Sequence, residues 1–174
     1  LSEDLQVSIH TVKHWLQILE NLYVVFPVRP YHKNIARSIL KSPKYYFYDT
    51  GAVEDEFGSK LENIVALALL KELHFLEDTT GCKVSLHYLR DKSNHEVDFL
   101  VVIDGKPTLM AEVKAGDDSF SKSLFRFSSY LEGTRSVQVV YHLTRKKSSR
   151  GVKMLPVHEF LADLNLLHSR KNQR

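Results

Sequence analysis

A chain of 174 residues, 43% hydrophobic and 26% charged, can bury a full core as one large domain or as a small domain beside a medium one. A single cysteine, Cys82, excludes an internal disulfide framework and a cysteine-based zinc cluster, and points to a reducing, cytoplasmic setting. Net charge is only +3 but uneven: six Lys/Arg against four Asp/Glu in residues 1–50, ten against fifteen in 51–143, eight against two in 144–174. An acidic middle between basic ends suits a metal-binding centre with phosphate-contacting flanks; for the C-terminus a solvated basic tail (RKKSSR and HSRKNQR) fits equally well. No apolar run approaches the roughly 20 residues of a membrane helix, and no signal-peptide pattern opens the chain, so no membrane partner is expected. The chain begins at Leu1, part-way through a helical unit, and a longer parent protein is expected.

The first unit, residues 1–50, reads as a helix-turn-helix remnant. In VSIHTVKHWLQILENLYVV, Ser8 is a good N-cap, and Val12, Trp15, Leu16, Leu19 and Leu22 fall at helical spacing on one apolar face. Lys13, His14 and Gln17 lie on the other side, where a recognition helix would meet DNA. YVVFPVRP and KYYFYD read as two strands, joined by a polar stretch carrying Lys33, Arg37 and Lys41. Helix followed by hairpin is the winged-helix layout, used for nucleic acid or for packing against another domain. The turn-rich, acidic DTGAVEDEFG marks the boundary to a second unit, residues 51–174.

There a long helix, SKLENIVALALLKELHFLED, is apolar on nearly all sides from Leu61 to Leu70 and is expected to be largely buried. KVSLHYLR, HEVDFLVVID and TLMAEVKA follow as strands, the last two joined by Asp104-Gly105, a strong hairpin signal. SFSKSLFRFSSYLEG is an amphipathic helix with Phe120, Leu124, Phe127 and Leu131 inward. SVQVVYHL is a continuous apolar run of a parallel or mixed sheet; GVKML and VHEFLADLNLL close the chain as strand and helix. The fold class is α/β.

Charged residues interrupt the two central strands. Residues two apart on a strand share a face, so Glu112 and Lys114 point together, and the hairpin brings Asp98 beside Glu112. Two carboxylates near the end of a half-buried sheet repel, and need the Lys114 ammonium or a divalent cation to offset them. Magnesium, or manganese, suits such a site, because it takes one or two carboxylates and keeps several waters. Asp98 and Glu112 are the metal-ligand candidates, Lys114 the residue that orients the attacking water or stabilises the phosphorus in flight. Glu62, on the stripe of Val65, Ala66 and Leu69, is a further metal or water contact. The competing reading is an ion network of Glu112, Lys114 and Asp98 kept only as architecture. His10 with His14, Cys82 and His158-Glu159 are weaker candidates.

An Asp before a Glu-X-Lys on the next strand, with a Glu on the preceding helix, resembles the PD-(D/E)XK nuclease superfamily. The pieces are Asp98, Glu112-Val113-Lys114 and Glu62, and the resemblance implies a restriction-endonuclease-like core preceded by a small winged-helix unit. In that superfamily the following helix often supplies a Gln or Lys toward the site; here it offers Lys122 and Arg126, and Arg126 is taken as a nucleic-acid contact. PKYYFYDTG, LEN, HEVDFLV and AEVKAG together resemble the C-terminal region of bacterial and archaeal AAA-type ATPases. That resemblance implies an ATPase domain upstream of Leu1, since GxxxxGK[ST] is absent from this chain. It implies nucleic acid, DNA foremost, as substrate. The alternative is an inactive DNA- or partner-binding module that regulates the ATPase; a third reading is a protein–protein surface for homo-oligomerisation.

Overall fold

Ser8 opens the first helix as an N-cap, its hydroxyl accepting from the Thr11 amide, and α1 runs Ile9–Asn21. In this computed structural model residues 3–31, 42–54, 56–116 and 119–166 are described, so Lys33, Arg37 and Lys41 lie outside the described residues. No side chain of α1 is buried: Trp15 is 45% and Leu22 66% exposed, so the apolar face expected from the spacing is present but uncovered.

The strands are β1 (Val25–Pro30), β2 (Lys44–Phe47), β3 (Val84–Arg90), β4 (Glu96–Ile103), β5 (Lys106–Lys114), β6 (Arg135–Val140), β7 (Lys147–Ser149) and β8 (Val152–Pro156). They form one eight-stranded mixed sheet in the order β2-β1-β3-β4-β5-β6-β8-β7. β1 pairs antiparallel with β2 and parallel with β3, so the sheet runs straight across residue 50. A turn of 3-10 helix, Thr50–Ala52, leads from β2 towards the long helix α2 (Phe57–Thr80). From Leu61 to Leu70 no residue of α2 is exposed, and Leu61, Val65, Ala66, Leu69, Leu73 and Leu76 pack on one face of the sheet. Gly81, at φ 68°, ends α2 in the left-handed conformation that glycine adopts freely. No helix among the described residues is long and apolar enough to cross a membrane.

Asp104 and Gly105, both at positive φ, make the two-residue turn that the Asp-Gly step predicts, and set Ile103 opposite Lys106. β5, β6 and β8 are mutually parallel, in keeping with the apolar run of β6. The short α3 (Lys122–Tyr130) covers the other face, with Leu124 wholly buried and Phe120, Phe127 and Leu131 partly so. The final helix α4 (Val157–Ala162) is shorter than the sequence suggests. Part of the basic RKKSSR stretch is not tail: Lys147–Ser149 forms the edge strand β7, turned onto β8 by Arg150 and Gly151 at positive φ.

α2 is tied to the first segment by one amide side chain. Buried Asn63 accepts from the Phe47 amide at 2.7 Å and donates to the Phe47 carbonyl at 3.0 Å, reproducing a strand partner for the sheet's edge. Asn63→Ala strips both bonds and is expected to cost about 2–3 kcal/mol in urea denaturation. Asn63→Asp keeps the acceptor, loses the donor, and should recover little of it.

Candidate functional site

Between β3 and β4 the register slips: His87 pairs with Leu100 but Leu89 with Val97, so Asp98 and Phe99 together stand opposite Tyr88. This bulge reorients the strand. Val97 and Leu100 belong to the core under α3, whereas Phe99 and Val101 belong to the core under α2. Asp98 therefore turns to the α2 side with Phe99, out of strict alternation.

At the same level β4 and β5 part company. Their last paired residues are Phe99 and Ala111, while β5 continues against β6 through Glu112–Gln138 to Lys114–Val140. Asp98 fills the gap, its Oδ2 accepting from the Val113 amide at 2.9 Å in place of a backbone carbonyl. Glu112 stands on Met110's side of β5, 5% exposed, with Oε1 at 2.9 Å from Lys114 Nζ. Its other oxygen, Oε2, is buried without a hydrogen-bond partner. Next to it on β6, wholly buried Gln138 donates to the Ser119 carbonyl at 2.7 Å and accepts from the Ser121 amide at 2.8 Å, fixing the chain that enters α3.

On the α2 side stands a cation not foreseen from the sequence. Lys44 Nζ of β2 lies 2.7 Å from Glu96 Oε1, 3.3 Å from Glu62 Oε1 and 3.6 Å from Asp98 Oδ1. The Tyr46 hydroxyl donates to Glu62 Oε1 at 2.5 Å, and Arg90 Nε meets the outer oxygen of Glu96 at 3.6 Å. The four stretches PKYYFYDTG, LEN, HEVDFLV and AEVKAG thus contribute to one charged cluster, supplying Lys44 and Tyr46, Glu62, Glu96 and Asp98, and Glu112 and Lys114. Residue spacing within β4 marks Glu96 as Asp98's neighbour; nothing local marks Lys44, which arrives through the pairing of β1 with β3.

The electrostatics follow from burial and crowding. Burial, then the Glu62 and Glu112 carboxylates, push Asp98 up to about 7, against Lys44 and the Val113 amide. Burial likewise raises Glu112, opposed by Lys114, the Asp98 amide and Lys44. Burial would lower Lys44, but Glu62, Asp98 and Glu96 outweigh it and hold the ammonium charged above the ordinary lysine range. Tyr46 is held in the neutral, donating form by burial and by Glu62.

The remaining sequence candidates lie elsewhere. Lys13, His14 and Gln17 are exposed on α1, Gln17 bonded to Asn21 at 3.1 Å. Arg126 on α3 pairs with Asp91 at 2.9 Å, and Asp91 also holds His95. Glu62 touches Lys44 and Tyr46, and acts on Asp98 through its charge.

Asp98 and Glu112 are the pair that would hold a divalent ion. Two hard carboxylates, one of them with an orphaned buried oxygen, would suit magnesium or manganese, which keep waters in their remaining positions. Among the described residues no three His, Cys, Asp or Glu side chains are arranged as a metal cluster. Glu112 and Lys114 stand at the carboxyl end of β5, the end of the strands where ligands usually bind in open α/β sheets.

Sheet, helices and cleft define a mixed α/β protein with a carboxylate–lysine site. The chain belongs to the family described as domain of unknown function DUF4143, which residues 57–160 match over more than half its length. Residues 1–58 match a second family, described as domain of unknown function DUF8612. Uncharacterized proteins of Mycobacterium bovis and Mycobacterium tuberculosis are each 28% identical over 130 residues, covering 71% of this chain. That stretch is 30% of each mycobacterial protein, so the chain spans far less than their length. No solved structure matches the chain.

A raised carboxyl gives a definite sign with pH. Asp98 binds its proton more tightly folded than unfolded, so between its ordinary range near 3.8 and about 7 rising pH weakens the ion-free protein. Asp98→Asn cannot ionise, and His87, held neutral by burial, titrates alike in both proteins. The variant should therefore match wild type near pH 4 and exceed it by about 2–4 kcal/mol at pH 8, measured by urea denaturation in chelator. A gap that narrows toward pH 8 would contradict this assignment.

Proposed function

We propose that the cleft between β4 and β5 binds Mg²⁺ or Mn²⁺ and hydrolyses phosphodiester bonds of nucleic acid, DNA foremost. The observation that carries this reading is Glu112 Oε2, a buried carboxylate oxygen with no protein partner, beside the raised carboxyl of Asp98. A buried carboxylate oxygen left without a partner is costly, and a cation bound between the two carboxylates would offset it. The ion, when bound, supplies Lewis-acid stabilisation of a phosphoryl oxygen and a more acidic water.

The protein's part is positional. Asp98 and Glu112 hold the ion, and the Val113 amide fixes the orientation of Asp98. In this reading Lys114, salt-bridged to Glu112, orients the attacking water or meets charge developing on phosphorus. Glu62 acts behind this group, through Lys44 and Tyr46. In this reading the order α2, β3-β4-β5, α3, β6 is that of a restriction-endonuclease-like core, α1 with β1 and β2 is a winged-helix unit, and an ATPase domain completes the full-length protein.

A second reading is favoured by α1. Its exposed apolar residues Trp15, Ile18 and Leu19, with Leu22 at its C-cap, accompany exposed Lys13, His14 and Gln17. Such a helix suits a binding module that regulates the ATPase, and binding of that kind would be indifferent to Asp98→Ala.

Linear and circular DNA and RNA incubated with Mg²⁺ or Mn²⁺ test the nuclease reading. Wild type should cleave, with Lys114→Ala slower by about 10²–10³-fold at unchanged fold. If wild type and Lys114→Ala are equally inert on every substrate, hydrolysis is abandoned.

A further inference from the structure

Beyond the charged cluster, aromatic rings gather where β5 and β6 end. Val140 closes β6 opposite Lys114, and the pairing continues into the loop that follows. The Tyr141 amide donates to the Lys114 carbonyl at 3.0 Å, and the His142 amide to the Ala115 carbonyl at 3.2 Å. The backbone of Tyr141 and His142 is thereby pinned beside Lys114. Val137 and Val139 belong to the core under α2, and Tyr141 continues that side of β6 to meet Phe57 of the first α2 turn, ring centroids 4.6 Å apart at 67°. The His142 ring stands 4.5 Å from that of Tyr141, at 80°. Both contacts are of the edge-to-face kind. Even so, Phe57 is 49% and Tyr141 44% exposed, and His142 is exposed with them. Isolated apolar side chains on a surface are ordinary, but rings packed together and open to water beside a charged site call for a partner.

We propose that Phe57, Tyr141 and His142 form a stacking platform for an unpaired nucleobase, so that the nucleic acid taken by this site is single-stranded or locally unpaired. The choice of nucleic acid rests on the proposed function; the choice of an unpaired base rests on the rings. Inside a duplex both faces of a base are covered by its neighbours, and only edges and backbone are presented. Exposed rings take a base from a single strand, a frayed end or a flipped nucleotide. Such stacking is tolerant of sequence, because every base has a π-face. The chain leaving the platform, YHLTRKKSSR, carries four Lys/Arg and no acid. Lys146 is engaged by Glu159, while Arg145, exposed and nearest in sequence to Tyr141 among these cations, suits a backbone phosphate of the same strand. The platform is a binding device, and the carboxylates and Lys114 keep the roles given above.

Fluorescence anisotropy with labelled oligo(dT), in chelator and at fixed low salt, tests binding apart from cleavage. Wild type should bind oligo(dT) more tightly than the matching oligo(dT)·oligo(dA) duplex. Tyr141→Ala and Phe57→Ala should each bind oligo(dT) about tenfold more weakly at unchanged melting temperature, and Tyr141→Trp, which keeps a ring, should bind as wild type does. A second readout decides the matter if the alanine variants do not fold. Trp15 is the only tryptophan, so Tyr141→Trp in a Trp15→Phe background reports from the platform alone, and its fluorescence should fall as oligo(dT) is added. No binding, a preference for duplex, alanine variants equal to wild type, or no change in that fluorescence would each overturn the proposal. Ring-dependent oligo(dT) binding without cleavage in Mg²⁺ or Mn²⁺ would uphold the platform and sink the hydrolysis reading. Cleavage by Tyr141→Ala at the wild-type rate on single strand and duplex alike would do the reverse.

Discussion

The site depends on a single substitution in the hydrogen-bond ladder: the Asp98 carboxylate takes the Val113 amide where a β4 carbonyl would ordinarily stand. An unpaired amide in a buried sheet is costly, so two strands can separate only where something else satisfies the groups they release. A side chain that does so both permits the separation and is held in place by it. The bulge opposite Tyr88 is the second requirement, because without it Asp98 would point towards α3, away from Lys44 and Glu62. Separation and bulge together place a carboxylate between the two layers of the fold, within reach of Glu112 on one side and α2 on the other.

The charged cluster is better understood as geometry than as stability. Each close pair around Lys44 is worth about 5 kcal/mol at an effective dielectric constant near 20, but removing each ion from water costs several kcal/mol in return. The two effects oppose each other, and the cost of burial is visible in the raised proton affinity of Asp98, to which Glu62 and Glu112 add, and of Glu112. What the network does is hold four acids, three on the sheet and Glu62 on α2, at defined positions beside a largely apolar core. An apolar replacement would pack as well, but would leave no seat for a cation.

Much of this could be read along the chain, because strand and helix periods are local. The Ser8 cap, the Asp104-Gly105 hairpin and the burial of α2 all follow from patterns within a few residues or across one tight turn. The bulge was not legible, since Val97, Phe99 and Leu100 are equally apolar whichever face they take. Nor was Lys44, separated from Asp98 by a helix and a strand and brought near it by the parallel pairing of β1 with β3. Parallel pairing leaves no turn signature. Gln138 was hidden by its neighbours, one amide in a run of valines whose partners are backbone atoms of residues 119 and 121.

The two family segments meet near residue 57, and that division has physical content only up to a point. Glu62, Glu96, Asp98, Glu112 and Lys114 all fall in the second segment, yet the cation that three of them share and the hydroxyl that orders Glu62 come from β2 in the first. The Asn63 clamp on Phe47 joins the same two segments again. A DUF4143 segment separated from β2 would carry three acids with one fewer counter-charge, an exposed sheet edge and a broken clamp. The physical unit is therefore the sheet from β2 to β7, and the first segment supplies part of the site.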